Sequence, residues 1–473
     1  MINFIKRLVV ESQMVNKSDE ATNVKSREKQ TAAKDIGGNL PFMLVMIYFG
    51  WGLINTDSNL ILVLETPIMA ALGLTPTEFG YIVSVGFAAS FVVSLFLGPL
   101  GDRFGRRFVL QLTLLGTGVF SVFQYFITSF LSWFGIRIPA GAFTGGEWGA
   151  GATALSESVN KKYRGLVLSI MQSGWVFGYG LASVIALFVI TVYGSANGWR
   201  YAFLFAFMPA LLIIVLRTKM KDPERFRHLK EVQAAKRKGD KKALEELLSV
   251  HDVNVEKISR SSYKQLFSKD LIRMTIILAF WNFITTGIAI TTNSFQPLYF
   301  EVARGFNFSA VTTMFAVVSF AGIFGYILNG FLNDRIGAKY SIIIFALFEV
   351  LGILFLTYFT GSSMTKLYIF YIIFFFAENG QFSGLIRMNT ETFPTRVRVT
   401  GAVWGGAFWS LGQAVWPTLF GLSLAFFKGP SFTAVFNQSW LWLEVVPEFI
   451  AILVFFIVMK NVPPRKELEE IAV

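Results

Sequence analysis

The chain has 473 residues, of which 54% are hydrophobic and only 15% are charged, whereas soluble domains carry roughly 25% charged residues. It has no cysteine and two histidines, which excludes disulfides, thiolate metal sites and cysteine nucleophiles and leaves no imidazole cluster for a metal. The net charge of +12 is dispersed over loops without interleaved aromatic residues, so we expect no nucleic-acid partner. We therefore predict an integral membrane protein that lies in a lipid bilayer and holds no metal or cofactor.

Twelve segments are apolar and long enough to cross a bilayer, since a spanning helix needs about 20 mostly apolar residues for roughly 30 Å of hydrocarbon. They lie near residues 40–64, 78–100, 108–130, 132–156, 165–192, 199–217, 272–299, 308–331, 340–360, 367–389, 401–427 and 438–460. We predict an all-α membrane protein with twelve transmembrane helices. The expected domains are an N-terminal tail (1–39), a six-helix bundle (40–217), a middle loop with surface helices (218–271), a second six-helix bundle (272–460) and a C-terminal tail (461–473).

Basic residues fall on every second loop of this predicted topology. The loops near 70–77, 193–198 and 359–366 nearly lack Lys and Arg, whereas the alternate loops are basic. The positive-inside rule then predicts that both termini and the middle loop are cytoplasmic. No cleavable signal peptide is visible in residues 1–39, so the first helix is expected to direct insertion. We expect a multi-pass protein of the cell membrane.

One short loop pattern occurs twice, half a chain apart, at residues 98–107 and 330–339. In each copy an acid follows the first glycine by four positions, an arginine by five, a second glycine by seven and a base by nine. A second repeated pattern places a base seven positions after an acid, following the fourth and tenth helices. This internal duplication predicts two six-helix bundles related by a pseudo-two-fold axis, which is the architecture of a secondary transporter.

The charged residues of these two patterns are predicted to latch the cytoplasmic side. An acid at a helix end can bind the positive N-terminus of a neighbouring helix, and the loop arginines can pair with Glu157 or Glu391 when that side is closed. Exposed pairs of this kind contribute on the order of 0–1 kcal/mol each, which suits a reversible switch. The predicted gating residues are Asp102, Arg103, Arg106, Arg107, Glu157, Arg164, Asp334, Arg335, Lys339, Glu391 and Arg398. The alternative, that these charges only mark topology, stays open.

The repeated loop resembles the signature of the major facilitator superfamily, and the resemblance covers the whole chain as six plus six helices. It implies a carrier that works by alternating access and is not an enzyme. The sequence contains no Gly-Lys-Ser/Thr nucleotide loop. Any uphill transport is therefore expected to draw on an ion gradient.

A more specific resemblance lies in the fourth and fifth helices. Residues 137–151 read Arg-Ile-Pro-Ala-Gly-Ala-Phe-Thr-Gly-Gly-Glu-Trp-Gly-Ala-Gly, and residues 172–180 read Gln-Ser-Gly-Trp-Val-Phe-Gly-Tyr-Gly. Both segments are similar to proton-coupled organic-acid symporters of the sialate and lactate type and to metabolite:proton symporters. Sugar porters share part of this pattern, but their motifs after the sixth and last helices are reduced here. The proline-bearing motif of drug antiporters is missing from residues 165–192.

Ionisable residues inside spanning helices are candidates for function, because each costs about 2.5–3.5 kcal/mol on insertion scales. The candidates are Asp57, Arg137, Glu147, Glu349, Glu378 and Arg387. The resemblance to symporters implies that Asp57 carries the proton and that Arg137 pairs with it; a fixed structural ion pair is the alternative. For Glu147, beside several glycines, a second proton site and a packing role both remain open.

The predicted substrate site draws mainly on the second bundle, where neutral hydrogen bonders stand near aromatic residues. The predicted substrate-binding residues are Gln172, Asn282, Thr286, Asn293, Gln296, Glu378, Arg387, Trp409 and Gln413. Trp404 and Trp416 are expected to help close the cavity. For an anionic substrate, Arg137 or Arg387 could supply the countercharge, with bidentate hydrogen bonds from Arg387. A structural role for Glu378 is the alternative.

Together these features predict a monomeric carrier whose partners are a small-molecule substrate and protons. The expected activity is proton-coupled symport of a small organic acid, such as a monocarboxylate of the lactate type or a sialate-like acid. The alternatives are a proton-coupled sugar or polyol symporter, a multidrug exporter and a transport-inactive sensor. Two intact loop motifs favour a working carrier over a sensor.

Overall fold

The computed structural model describes residues 25–104, 106–159, 164–217, 266–359, 363–393 and 398–461. Within these ranges the chain is almost entirely helical and forms no β-strand. The twelve long helices are α1 (Lys25–Val63), α2 (Pro76–Phe104), α3 (Arg106–Phe123), α4 (Phe130–Ser158), α5 (Arg164–Gln172 and Gly174–Tyr193), α6 (Ser195–Arg217), α7 (Ile272–Pro297), α8 (Phe308–Ile336), α9 (Ala338–Tyr358), α10 (Met364–Glu391), α11 (Arg398–Phe426) and α12 (Phe432–Trp440 and Val446–Val458). The prediction of twelve helices in an all-α fold is confirmed.

Nine of these helices, counted within the described ranges, are long and apolar enough to cross a membrane. Six helices precede residues 218–265 and six follow them, which gives the two predicted bundles. Most of the predicted middle loop lies in 218–265, outside the described residues. A short helix, Glu65–Leu72, follows α1 and ends at Gly73, whose φ of 64° is the left-handed conformation that glycine adopts without strain.

Two helices of the second bundle contain a π-helical turn. Residues Leu298–Ala303 continue α7, and residues Leu441–Val445 join the two parts of α12. Pro447 has no N–H for the carbonyl oxygen of Leu443 one turn earlier, and the indole Nε1 of Trp416 donates to that oxygen at 2.8 Å. In an apolar interior, such a side-chain donor makes an irregular backbone tolerable.

The two bundles meet mainly through two helix pairs, α2 with α11 and α5 with α8. Glycine allows the close approach in the first pair, since a Cβ built on Gly80 lies 2.5 Å from the carbonyl oxygen of Pro417. In the second pair, a Cβ built on Gly322 lies 2.9 Å from a methyl carbon of Val176. Small residues at helix crossings are typical of membrane bundles, where tight packing replaces the hydrophobic driving force.

Cross-bundle contacts close the structure at both ends. We call the membrane side of Leu40 and Val458 the terminal side, and the opposite side the distal side. At the distal side Glu65 Oε2 accepts from the N–H of Leu298 at 2.9 Å, and Thr66 donates to Glu301 at 2.5 Å. At the terminal side the hydroxyls of Ser169 and Ser383 are 2.7 Å apart. The bundles therefore enclose the space between them.

The tight crossing of α9 and α10 predicts a clear difference between two glycine substitutions. Gly352→Ala is expected to destabilise the protein by about 1–3 kcal/mol, the usual cost of overpacking, because the new Cβ lies 2.7 Å from the Cα of Phe374. Gly135→Ala is the matched control, since its Cβ meets nothing within 4 Å. Thermal unfolding in detergent should show a lower midpoint for Gly352→Ala only. Equal midpoints for the two variants would contradict this packing.

Candidate transport site

A cavity of about 180 Å³ lies between the bundles. Its lining comes from α1–α5, α7, α8, α10 and α11, and none of the described residues of α6, α9 or α12 contributes. The aromatic lining residues are Trp51, Phe87, Trp148, Trp175, Tyr326, Phe382 and Trp409. The neutral polar ones are Asn55, Ser58, Asn59, Ser90, Ser94, Thr144, Gln172, Asn293, Asn379, Ser410 and Gln413. The cavity suits a small solute with apolar faces and hydrogen-bonding edges.

Aromatic rings from the two bundles meet across the cavity. The centroids of Trp148 on α4 and Trp409 on α11 are 5.7 Å apart, and Trp409 also packs against Phe382 at 5.2 Å. The indole Nε1 of Trp148 donates to Gln172 Oε1 at 2.9 Å, which holds the ring in place. Rings at these separations offer flat apolar surfaces against which a planar solute can stack.

Two buried amide oxygens of the lining have no hydrogen-bond partner. Asn293 uses its Nδ2 to donate to Glu378 Oε1 at 2.6 Å, and its Oδ1 remains unpaired. Asn59 donates to the carbonyl oxygen of Trp175 at 3.4 Å, and its Oδ1 is also unpaired. Unpaired buried acceptors are costly, so both side chains are incompletely satisfied in this conformation.

Five predicted substrate-binding residues lie in the cavity lining: Gln172, Asn293, Glu378, Trp409 and Gln413. Three others are occupied elsewhere. Asn282 exchanges two 3.0 Å hydrogen bonds with Asn389, and Thr286 donates to the carbonyl oxygens of Asn282 and Trp409 at 2.6 and 2.9 Å. Gln296 accepts a hydrogen bond from Tyr371. These side chains bind backbone and side-chain groups inside the second bundle, which helix periodicity alone did not reveal.

Neither Trp404 nor Trp416 is among the lining residues, contrary to the expectation that they close the cavity. Trp404 donates to the carbonyl oxygen of Thr275 at 3.3 Å. Trp416 is held by the carbonyl oxygen that Pro447 leaves free. Both indoles therefore satisfy backbone groups of neighbouring helices.

Arg387, which was predicted to bind substrate, is not among the residues that line the cavity. Its side chain pairs with Asp334 Oδ1 at 3.2 Å and Glu391 Oε2 at 3.0 Å, and donates to the carbonyl oxygen of Asn333 at 2.7 Å. Arg387 lies nine residues beyond Glu378, about 13 Å along the helix towards the terminal side. Two predicted gating acids thus share one buried arginine, and we call Arg387, Asp334 and Glu391 the terminal latch.

The other predicted gating residues differ in exposure and surroundings. Arg335 is exposed, and Lys339 places its Nζ 5.0 Å from the ring of Phe456. Arg107 is partly buried at the start of α3. The remaining gating side chains lie outside the described part of the structure, namely Asp102, Arg103, Arg106, Glu157, Arg164 and Arg398.

Asp57 and Arg137 are both buried, with 4% and 3% of their surfaces exposed, but no ion pair joins them within the described structure. Asp57 Oδ1 accepts from Ser121 and from Gln124 Nε2, the latter at 3.0 Å, and Oδ2 has no partner. Arg137 Nε and Nη1 are also unpaired. A Cβ built on Gly86 lies 2.6 Å from Arg137 Nη2, so glycine provides the space for the guanidinium.

The two charges are close enough to interact electrostatically, although neither residue lines the cavity. Glu147 lies outside the lining as well and accepts a hydrogen bond from Thr113 on α3 at 2.9 Å. This α3–α4 contact fits the packing role among the two hypotheses for Glu147. The three residues predicted for proton coupling therefore lie behind the cavity wall of the first bundle.

Sequence reasoning missed part of a buried acidic cluster in the second bundle. Glu378 lies within electrostatic reach of Glu349, Glu444 and Glu448, and we call these four residues the acidic cluster. Glu349 accepts from Gln381, and Glu444 from Thr292 at 2.6 Å. Both carboxylate oxygens of Glu448 are unpaired. Glu444 and Glu448 fall inside the predicted span 438–460, so counting acids in that span could have found them.

Two helical bundles around a central, mostly neutral cavity define a membrane transporter of the secondary class. The sequence profile of the Major Facilitator Superfamily matches residues 42–417. The chain belongs to this family.

Similar proteins carry small organic molecules. The chain is 25% identical over 354 residues to a probable 4-methylmuconolactone transporter of Cupriavidus pinatubonensis, covering 75% of this chain and 76% of the relative. It is 25% identical over 428 residues to a niacin transporter of Acinetobacter baylyi, covering 87% of this chain and 93% of that relative. The fold is similar to the proton:xylose symporter of E. coli, with a TM-score of 0.70 at 17% identity, covering 92% of this chain and 98% of that one.

The terminal latch lies against the first bundle, since a Cβ built on Gly165 at the start of α5 lies 2.7 Å from Asp334 Oδ1. Arg387→Gln removes the guanidinium that holds Asp334 in this position, so we expect it to open the terminal side. Removing the guanidinium leaves the buried Glu391 without this charge partner, and breaking such a pair is strongly destabilising. Because the chain has no cysteine, Ser383→Cys supplies a single reporter thiol at the terminal closure. Labelling by a membrane-impermeant maleimide is expected to rise severalfold in Arg387→Gln. Arg335→Gln is the control; equal labelling in both variants would count against the latch.

Proposed function

We propose that the protein is a secondary active transporter that imports a small organic acid together with protons by alternating access. The observation that carries the proposal is the cavity between two bundles, with cross-bundle contacts above and below it. Such contacts are the gates that an alternating-access carrier makes and breaks. The terminal side is cytoplasmic in this proposal, in line with the distribution of basic loops.

The facing tryptophans favour a planar acid over a flexible one such as lactate. A flat solute can stack on an aromatic ring of the cavity wall, and the amides of the lining can bind its polar edge. The names of two relatives agree with this chemistry, since niacin is an aromatic carboxylic acid and methylmuconolactone is a ring-bearing acid. We propose a small planar carboxylic acid as the substrate class.

Asp57 is the proposed proton carrier that couples to the change of conformation. Its unpaired Oδ2 and the nearby unpaired Arg137 form a buried, incompletely satisfied pair of opposite charges. Binding a proton would neutralise the carboxylate and weaken its attraction to the guanidinium, so the two helices could separate. Each conformation then has a preferred protonation state, which is what proton coupling requires.

A proton-coupled sugar symporter is the second candidate. Neutral amides such as Asn59, Gln172 and Gln413 beside tryptophan rings also suit a polyhydroxylated ring. Arg387 offers no countercharge to the cavity, which removes one argument for an acid over a sugar. The transport assay therefore has to include both classes.

The decisive assay uses proteoliposomes that enclose a pH dye. Nicotinate, lactate, xylose or glucose is added outside in symmetric buffer, and protein-free liposomes correct for passive entry of undissociated acid. Nicotinate is expected to acidify the lumen, and Asp57→Asn is expected to abolish this signal because the residue can no longer bind and release a proton. Asp270→Asn, an exposed carboxylate, is the matched control. Acidification by sugars alone would establish the second candidate, and undiminished coupling in Asp57→Asn would exclude Asp57 as the carrier.

A further inference from the structure

Glu378 is the one carboxyl group among the described residues that line the cavity, and that part of the lining contains no basic side chain. An ionised carboxylic acid that enters this space meets neutral amides, aromatic rings and Glu378. Two carboxylates side by side in an apolar site repel each other, whereas one shared proton turns the contact into a strong hydrogen bond. We propose that Glu378 binds the carboxylate of the substrate through a shared proton, so that the anion binds only when Glu378 is protonated.

The hydrogen bonds of Glu378 hold its carboxyl group at the cavity wall. Asn293 on α7 donates to Oε1 at 2.6 Å, and Asn379 donates to Oε2 at 3.3 Å. Both amides also donate to the backbone of their own helices, at 2.7 and 2.8 Å, so their positions are fixed. The Oδ1 of Asn293 is buried and unpaired.

The titratable groups around Glu378 are acids and tyrosine hydroxyls. Those within electrostatic reach are Glu349 on α9, Glu444 and Glu448 on α12, and the hydroxyls of Tyr179, Tyr326 and Tyr371 on α5, α8 and α10. No basic residue is found among these described neighbours. The amide donors Asn293 and Asn379 stabilise the ionised carboxylate, whereas negative charge on a neighbouring acid disfavours it. Both protonation states of Glu378 therefore have stabilising or opposing groups nearby.

This inference rests on the proposed function, because it needs an acidic substrate. It assigns different roles to two acids. Asp57 lies behind the wall of the first bundle and responds to the change of conformation, whereas Glu378 touches the ligand. Proton and anion would leave the cavity together, since the anion is bound only while the proton is present. An arginine in the lining would not produce this dependence, because it stays charged over the whole physiological range.

Binding measured against pH tests the proposal, with tryptophan fluorescence in detergent as the readout. Nicotinate and nicotinamide are the probes, from about pH 6 to about pH 8, where a free carboxylic acid stays ionised. In the wild-type protein the affinity for nicotinate is expected to fall by up to about tenfold per pH unit, the limit for one linked proton. The affinity for nicotinamide, which has no carboxylate, is expected to stay constant.

Glu378→Gln is expected to bind nicotinate with an affinity that no longer depends on pH, because the amide donates a hydrogen bond at every pH. Glu378→Asp retains a titratable group and should keep the dependence with weaker binding, which guards against misfolding of the glutamine variant. Glu349→Gln changes a carboxyl group of the acidic cluster that lies outside the cavity lining. The affinity for nicotinate should therefore still fall with pH in this variant, over a shifted pH range. The proposal is overturned if the affinity of Glu378→Gln for nicotinate depends on pH as in the wild-type protein. It is also overturned if the wild-type protein does not bind nicotinate or binds it with an affinity that does not depend on pH.

The two proposals fail separately. If Glu378→Gln keeps the wild-type slope while an acid still drives proton uptake into liposomes, only the role of Glu378 is wrong. If no acid drives proton uptake in any variant, the proposed function itself is wrong. Asp57→Asn distinguishes the two acids, because it should block the change of conformation, and with it uptake, and keep the pH dependence of nicotinate binding.

Discussion

Hydrocarbon offers no hydrogen bonds, so every polar group within the membrane must find its partner inside the protein. The arrangement of the second bundle follows from this constraint. Asn282 and Asn389 satisfy each other, and Trp416 satisfies the carbonyl oxygen left free by Pro447. Two of the oxygens that remain unpaired, Asn59 Oδ1 and Asn293 Oδ1, belong to residues that line the central cavity.

The same constraint divides the charges between the two bundles. The first bundle places opposite charges, Asp57 and Arg137, near each other without direct contact. The second bundle collects four acids in its interior and keeps its buried arginine, Arg387, near the terminal side. A carrier that binds a proton needs groups whose charged and neutral forms are both accessible, and acids without a basic neighbour meet that need better than closed ion pairs.

The two closures of the cavity differ in chemistry. At the distal side, carboxylates accept from backbone and hydroxyl donors of the opposite bundle, as Glu65 does from Leu298 and Glu301 from Thr66. At the terminal side, a hydroxyl pair joins the bundles, and the ionic terminal latch lies within the second bundle. The hydrogen bonds that join the bundles each contribute little, so either closure can break without a large barrier, as alternating access requires.

The sequence by itself determined the twelve helices, the two bundles and the family resemblance, because apolar length and a duplicated loop are local patterns that need no three-dimensional information. It also identified five lining residues, including Asn293 and Glu378, since polar residues in a spanning helix have few alternatives to the interior. Only the tertiary structure decided which polar residues face the cavity and which satisfy one another. Arg387 shows the reason: its membership in the terminal latch depends on Asp334, a residue of another helix, and the pairing of side chains across helices is set by packing that no single segment encodes.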